Sequence, residues 1–166
     1  ASVGEEVIVK GWVDVRRDQG KMIFVDMRDM TGKVQCVVLP NHTDALEMMK
    51  EVRTEWVLEL IGLVNKRPER NVKEGVLNGD IELEITGVKI LNEAITPPFQ
   101  VNEETIGINE DLRMKYKYLD LRTERMQTNI RNRDKIITFF RQYMHENDFV
   151  DIETPIMTKG TPEGSR

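Results

Sequence analysis

The sequence predicts a mainly β fold, a small barrel of five strands and one helix, followed by a linking stretch and a long amphipathic helix. Three observations predict it. The first ninety or so residues are short β-branched runs separated by turns that contain Gly and Asp. Helical spacing appears there only after Thr43, where Leu46, Met49 and Val52 fall on one side. From Met126 to Met144, apolar residues recur at alternating steps of four and three.

The elements follow in order. Glu6 to Arg16 is rich in β-branched residues and alternates roughly, and Asp18-Gln-Gly20 turns the chain. Met22 to Arg28 alternates cleanly: Ile23, Val25 and Met27 share one face, Phe24, Asp26 and Arg28 the other. Asp29 to Gly32 is a second turn, leading into a strand from Lys33 to Leu39. Thr43 is placed to cap a helix running through Val52. Two further strands are expected, Glu55 to Val64 and Asp80 to Leu91. Gly11 and Gly62 fall inside strands, where a small barrel has to bend. Three strands, a helix and two strands is the order of an OB-fold; the pattern also fits another small β-barrel or a sandwich.

Beyond the barrel, Pro97-Pro98 lack backbone donors and exclude regular structure. Asn109 to Arg122 reads as a short helix leading into an extended piece, too rich in Leu, Tyr and Met for a disordered tether. Thr123 can cap a helix to about Asn147, with Met126, Ile130, Arg133, Ile137, Phe140 and Met144 as a buried stripe broadened by Phe139 and Tyr143. A strand from Phe149 to Ile152 then meets Pro155, which removes a donor and ends it.

Hydrophobic residues at 39% and charged residues at 32% suit a chain with a real core. No apolar run approaches the roughly 18–20 residues of a membrane span. No signal-peptide pattern is present, and the first residue is Ala1. The single Cys36 has no internal disulfide partner, which fits a cytoplasmic, reducing setting. Net charge is −5, and neither the first ninety-two residues nor the remainder is basic. A non-specific nucleic-acid binder is thereby disfavoured, and any RNA contact has to use a local patch. His42 and His145 have no partners at ligand or triad spacing, and no phosphate loop or zinc pattern is visible.

Several short motifs line up along the chain: Gly11-Trp-Val13, Arg16-Arg-Asp18, Phe24-Val-Asp-Met-Arg-Asp29, Gly32-Lys-Val-Gln35, Tyr116 to Arg122, and Asp151-Ile-Glu-Thr-Pro155 through Thr161-Pro-Glu-Gly164. In order and spacing they resemble the bacterial-type aspartyl-tRNA synthetase family. The helix, strand, proline and Thr-Pro-Glu-Gly turn resemble the first signature motif of class II synthetases. Each motif is weak alone; their specificity is joint, and the resemblance covers nearly the whole chain. It implies an OB-fold anticodon-binding domain over residues 1–92, a hinge over 93–122, and over 123–166 the first helix–strand unit of a class II α+β catalytic domain.

The resemblance also implies an anticodon site made of Arg17, Phe24, Gln35, Arg67, Asn71 and Glu82. The chemistry of these residues agrees. Phe24, opposite the face of Ile23 and Val25, can stack a base. Gln35 offers a donor and an acceptor to a base edge, and Glu82, acceptor only, suits an amino group. Arg17 supplies a forked donor. Singly, each also fits a core aromatic or a solvated polar residue. Basic groups in two loops, Arg16, Arg17 and Lys21, then Lys66, Arg67, Arg70 and Lys73, can steer phosphates. Gln19 departs from the leucine or histidine that the family carries beside Arg17, which leaves open whether the asparagine tRNA is charged as well as the aspartate tRNA.

Further implications of the resemblance concern the parent enzyme. It would use ATP and Mg2+ to make aspartyl-adenylate from L-aspartate, transfer the aspartate to tRNA(Asp) and, in some members, to tRNA(Asn), and form a homodimer. Glu163 would bind the substrate's α-ammonium, and Pro155 would lie at the dimer interface. No catalytic or metal-binding residue is assigned within the chain. The remaining active-site motifs would follow Arg166, so residues 1–166 alone are expected to catalyse neither step and to hold no cofactor. Two alternatives stand beside this: a related asparaginyl or lysyl synthetase, and a non-catalytic OB-fold nucleic-acid-binding protein.

Overall fold

Alternation along Ile23–Arg28 sets the inside of the molecule: Ile23, Val25 and Met27 are at most 1% exposed, while Phe24, Asp26 and Arg28 point the other way. In the computed structural model, which describes residues 3–157, five strands close into a barrel. They are β1 (Glu6–Asp18), β2 (Ile23–Arg28), β3 (Lys33–Val38), β4 (Val57–Lys66) and β5 (Ile81–Asn92), in the order β1-β2-β3-β5-β4. Neighbours are antiparallel except β3 and β5, a short parallel pair with Cys36 opposite Leu83. This is the OB-fold arrangement expected from the sequence. Helix α1 (Thr43–Glu51) joins β3 to β4 and buries Ala45 and Met49 with Val13, Leu58, Leu60, Leu83 and Ile85. Each fully buried aliphatic side chain contributes roughly 1.5–3 kcal/mol.

Closure forces two pairs of strands into close approach. A Cβ on Gly62 would strike the Glu84 carbonyl oxygen, and one on Gly11 the Arg28 carbonyl oxygen. The β4–β5 register also shifts between Ile61 and Gly62, a bulge at the bend. Turns use side-chain oxygens. Asp18 accepts from the Gly20 amide at 2.9 Å; Asp29 accepts from the Thr31 hydroxyl at 2.6 Å and its amide at 2.7 Å. These bonds to the charged form hold both carboxyls below their ordinary range, the Gly20 amide leading for Asp18 and the Thr31 hydroxyl for Asp29. The Cys36 thiol is fully buried, and burial pushes its pKa far up, so it is an inert core group.

Thr43 does not cap α1. His42 occupies the N-cap position without a side-chain cap bond, and Thr43 is the first helical residue; the His42 Nε2 meets the Glu84 carboxylate at 3.0 Å. A cluster of charges links β1, β2 and β3 to the segment before β4. The Arg28 guanidinium donates to Asp14 at 2.9 Å and to both oxygens of Glu55 at 2.6 and 2.7 Å. Lys33 reaches Asp14 at 2.8 Å. The following segment lies along the barrel: Trp56 Nε1 donates to the Ala94 carbonyl at 3.0 Å, Phe99 and Val101 are buried, and Asn102 Nδ2 donates to the Asp14 carbonyl at 2.7 Å.

The chain divides into two compact units, Ala1–Asn102 and Glu103–Arg166. The second contains α2 (Glu110–Lys115), α3 (Lys117–Asp120) and α4 (Glu124–Glu146). The extended piece expected before Arg122 is instead the one-turn helix α3. Asp120 is fully buried there, with the Lys117 ammonium at 3.2 Å and the Thr105 hydroxyl donating to it at 3.3 Å, and this draws the chain into a turn. Thr123 does cap α4: its hydroxyl accepts from the Met126 amide at 3.4 Å and donates to the Asp120 carbonyl at 2.7 Å. The helix ends in a Schellman arrangement, with Asp148 at positive φ, Phe149 N–H bonded to the Met144 carbonyl and Asp148 N–H to that of His145.

Two expectations for this unit change. The apolar stripe of α4 is exposed rather than buried: Ile130, Ile137, Phe140 and Met144 are 39–60% accessible. No strand forms over Phe149 to Ile152, because a strand needs a ladder partner and none of the described residues supplies one. Among the described residues, no helix is long and apolar enough to cross a membrane.

Candidate nucleic-acid interface

The outward residues of β2 and β3 and the loop after β4 meet on one side of the barrel. There they surround a concavity of about 450 Å³ lined by Arg17, Gln19, Phe24, Gln35, Arg67, Arg70, Asn71, Val72 and Lys73. Five of the six expected anticodon residues line this hollow. The sixth, Glu82, is joined to it by a bond from Gln35 Nε2 to Glu82 Oε2 at 3.3 Å. Phe24 is half-buried, outside the core formed by Ile23 and Val25. Its ring belongs to the outer face because the β period is two.

Strand pairing explains the convergence. Arg17 of β1 is opposite Phe24 of β2, and Asp26 of β2 is opposite Gln35 of β3. Glu82 of β5 is opposite Asn65 of β4, whose Nδ2 donates to Glu84 at 2.9 Å. Arg17 makes a forked pair with Asp26, at 3.0 and 3.1 Å. Asp26 was not among the residues expected from sequence, although its position two residues after Phe24 marked it as sharing that face.

Arg67 and residues 70–73 form one wall. The Arg67 amide donates to the Asp80 carbonyl at 2.8 Å, which extends the β4–β5 ladder by one step. A 3-10 turn, Glu69–Asn71, then presents Arg70 and Asn71. Arg67 is 5% exposed, and its Nε has no hydrogen bond among the described residues. A buried donor left so costs about 1–3 kcal/mol. Asn78, at φ 58°, ties the wall to β3 by donating from Nδ2 to the Lys33 carbonyl at 3.0 Å. Replacing Asn78 with alanine is expected to remove about 1 kcal/mol, roughly fivefold in local opening. Amide hydrogen exchange across residues 69–79 should speed accordingly; unchanged exchange would show that the tie holds nothing.

Arg17, Arg67, Arg70 and Lys73 give the hollow a cationic lining in a chain of net charge −5. An aromatic plate, base-edge donors and acceptors, and cations for phosphates are the parts that a surface for unpaired nucleotides needs. Among the described residues, no group of three or more His, Cys, Asp or Glu could hold a metal ion. Glu163 lies outside the described residues. Pro155 is exposed in a segment without regular structure.

Residues 7–91 match the family described as OB-fold nucleic acid binding domain, and residues 109–166 the family described as tRNA synthetases class II (D, K and N). Over 165 residues the chain is 47% identical to the aspartate–tRNA(Asp/Asn) ligase of Natranaerobius thermophilus, which covers 99% of the chain and 28% of that protein. It is 44% identical over 167 residues to the aspartate–tRNA ligase of Staphylococcus aureus strain Newman, covering all of the chain and 28% of that protein. The chain thus spans little more than a quarter of the length of these relatives. Among solved structures, asparaginyl-tRNA synthetase from Pyrococcus horikoshii complexed with asparaginyl-adenylate superposes with a TM-score of 0.77 at 25% identity, over 98% of this chain and 36% of that one.

Proposed function

The chain belongs to the OB-fold nucleic acid binding domain family and is homologous along its length to aspartate–tRNA ligases, and from this premise we propose that it reads the anticodon for such an enzyme. The observation that carries the proposal is the meeting of Phe24, Arg17, Gln35, Arg67 and Asn71 around one hollow, with Glu82 bonded to its edge. In this reading an anticodon base stacks on Phe24. Gln35 and Glu82 exchange their mutual bond for contacts to base edges, Glu82 accepting from an amino group. Arg17, Arg67 and Asn71 hold the neighbouring bases, and Arg70 and Lys73 neutralise phosphates.

The same reading takes residues 1–92 as the anticodon-binding domain, 93–122 as the hinge and 123–166 as the opening of a class II catalytic domain. A family match that stops at residue 91 agrees with the first border, while the second match begins at 109, within the segment read as the hinge. The whole enzyme would be a cytoplasmic homodimer joining L-aspartate to tRNA(Asp) through an adenylate. Glu163 would pair with the substrate's ammonium, and Pro155 with the exposed stripe of α4 would face the second subunit. ATP and Mg2+ would serve the activation step. The described residues offer no donor set for the metal, so none is assigned a part in that step. A relative named for both tRNAs supports tRNA(Asn) as a second substrate.

The test is direct binding. The chain is expected to hold the anticodon arm of tRNA(Asp) roughly tenfold or more tighter than the same arm with all three anticodon bases changed. Equal affinity for the two would contradict the reading.

A further inference from the structure

Asp26 places a carboxylate on the face that the cationic hollow otherwise dominates. An acid beside a phosphate-binding surface repels the ligand, so its presence calls for a reason. Asp26 follows Phe24 by two residues on β2, and the two side chains share the outer face. Arg17 is directly opposite Phe24 in the ladder, which leaves their Cβ atoms about 5 Å apart. At that spacing an unrestrained guanidinium can settle over the ring, where cation–π attraction favours it. It would then cover the plate that a base has to use.

The observed geometry is different. Both terminal nitrogens of Arg17 donate to Asp26, at 3.0 and 3.1 Å. The acid is the fixed end of the pair, its side chain 18% exposed against 41% for the arginine. The fork uses one N–H of each terminal nitrogen and leaves Nε–H and two outer N–H groups to donate.

We infer that Asp26 is a positioning residue, which holds the Arg17 guanidinium beside the Phe24 ring so that the ring stays open and the arginine's remaining donors are ready for a base of an unpaired strand. The inference rests on the anticodon reading. Asp26 touches no base. Its effect is that Arg17 is already ordered when RNA arrives; ordering such a side chain on binding costs about two- to twelvefold in affinity.

Fluorescence anisotropy with the tRNA(Asp) anticodon arm, and with arms changed at each anticodon base in turn, tests this on the chain and on Asp26→Asn, Asp26→Ser, Arg17→Ala and Arg17→Ala/Asp26→Asn. Both Asp26 variants are expected to bind the unchanged arm roughly three- to tenfold more weakly. They should lose discrimination at the same base as Arg17→Ala, and the double variant should bind no more weakly than Arg17→Ala alone. A carboxylate that only adds charge predicts the opposite sign, tighter binding of every arm and most at low salt. That outcome, or full discrimination in both Asp26 variants while Arg17→Ala loses it, overturns the inference and leaves the anticodon reading intact. Wild-type binding by both Arg17→Ala and Phe24→Ala removes the anticodon reading and the inference together.

Discussion

Replacing Phe24 with alanine is expected to weaken binding of the tRNA(Asp) anticodon arm by about 1–3 kcal/mol, the loss of one base–aromatic stack. The barrel should be nearly unaffected, because the ring is half-buried on the outer face while the core is built by Ile23, Val25 and Met27. Isothermal titration of the variant gives the first number and a urea melt the second. A Phe24→Ala protein that binds as before would show that the plate is not used. One that unfolds would show that the ring belongs to the core. Phe24→Tyr keeps the flat surface and should retain most of the affinity, which separates stacking from mere filling of the hollow.

Arg28→Met is expected to remove about 3–5 kcal/mol of stability. The guanidinium, 15% exposed, sits between Asp14 at 4% and Glu55 at 9%. Removing it strips Glu55 of both forked bonds and leaves Asp14 with Lys33 alone among the cations shown at its carboxylate. Methionine supplies similar length without charge, so the loss measures the cation taken from Asp14 and Glu55 rather than a cavity. Both tryptophans, Trp12 and Trp56, lie in the first unit; tryptophan fluorescence against urea therefore reports on the barrel by itself. A change under about 1 kcal/mol would mean that the cluster behaves as a solvated surface group.

Much of the barrel was legible because β structure writes itself at a period of two. Ile23, Val25 and Met27 against Phe24, Asp26 and Arg28 mark both the core and the outer face. The glycines at 11 and 62 were legible as bends for a related reason: within these strands two backbones approach too closely for a Cβ. What remained hidden depends on partners far away in sequence. His42, whose ring meets Glu84 on β5, takes the N-cap position, so Thr43 is already the first residue of α1. Asn109 to Arg122 read as a short helix leading into an extended piece, yet Asp120, buried among cations, sits in a second helical turn. The stripe of α4 was readable as apolar, but periodicity says only that one side avoids water. It does not say which surface covers it.

The candidate site divides in the same way. Phe24 and Gln35 follow from strand phase, whereas Arg67 and Asn71 reach the hollow only because the loop after β4 folds back. That return depends on the Arg67–Asp80 backbone bond and the Asn78 tie to β3. Family resemblance named these residues; the ladder and the loop explain why they meet. Asp26 was visible in phase with Phe24, yet its part emerges only from the forked bond to Arg17.

The most direct test of the account is an NMR titration of the 15N-labelled chain with the tRNA(Asp) anticodon arm. Amide and side-chain signals of Arg17, Phe24, Gln35, Glu82 and residues 67–73 are expected to shift together and saturate at one equivalent. Shifts confined to α4, or to the opposite side of the barrel around Ile8 and Lys10, would contradict it.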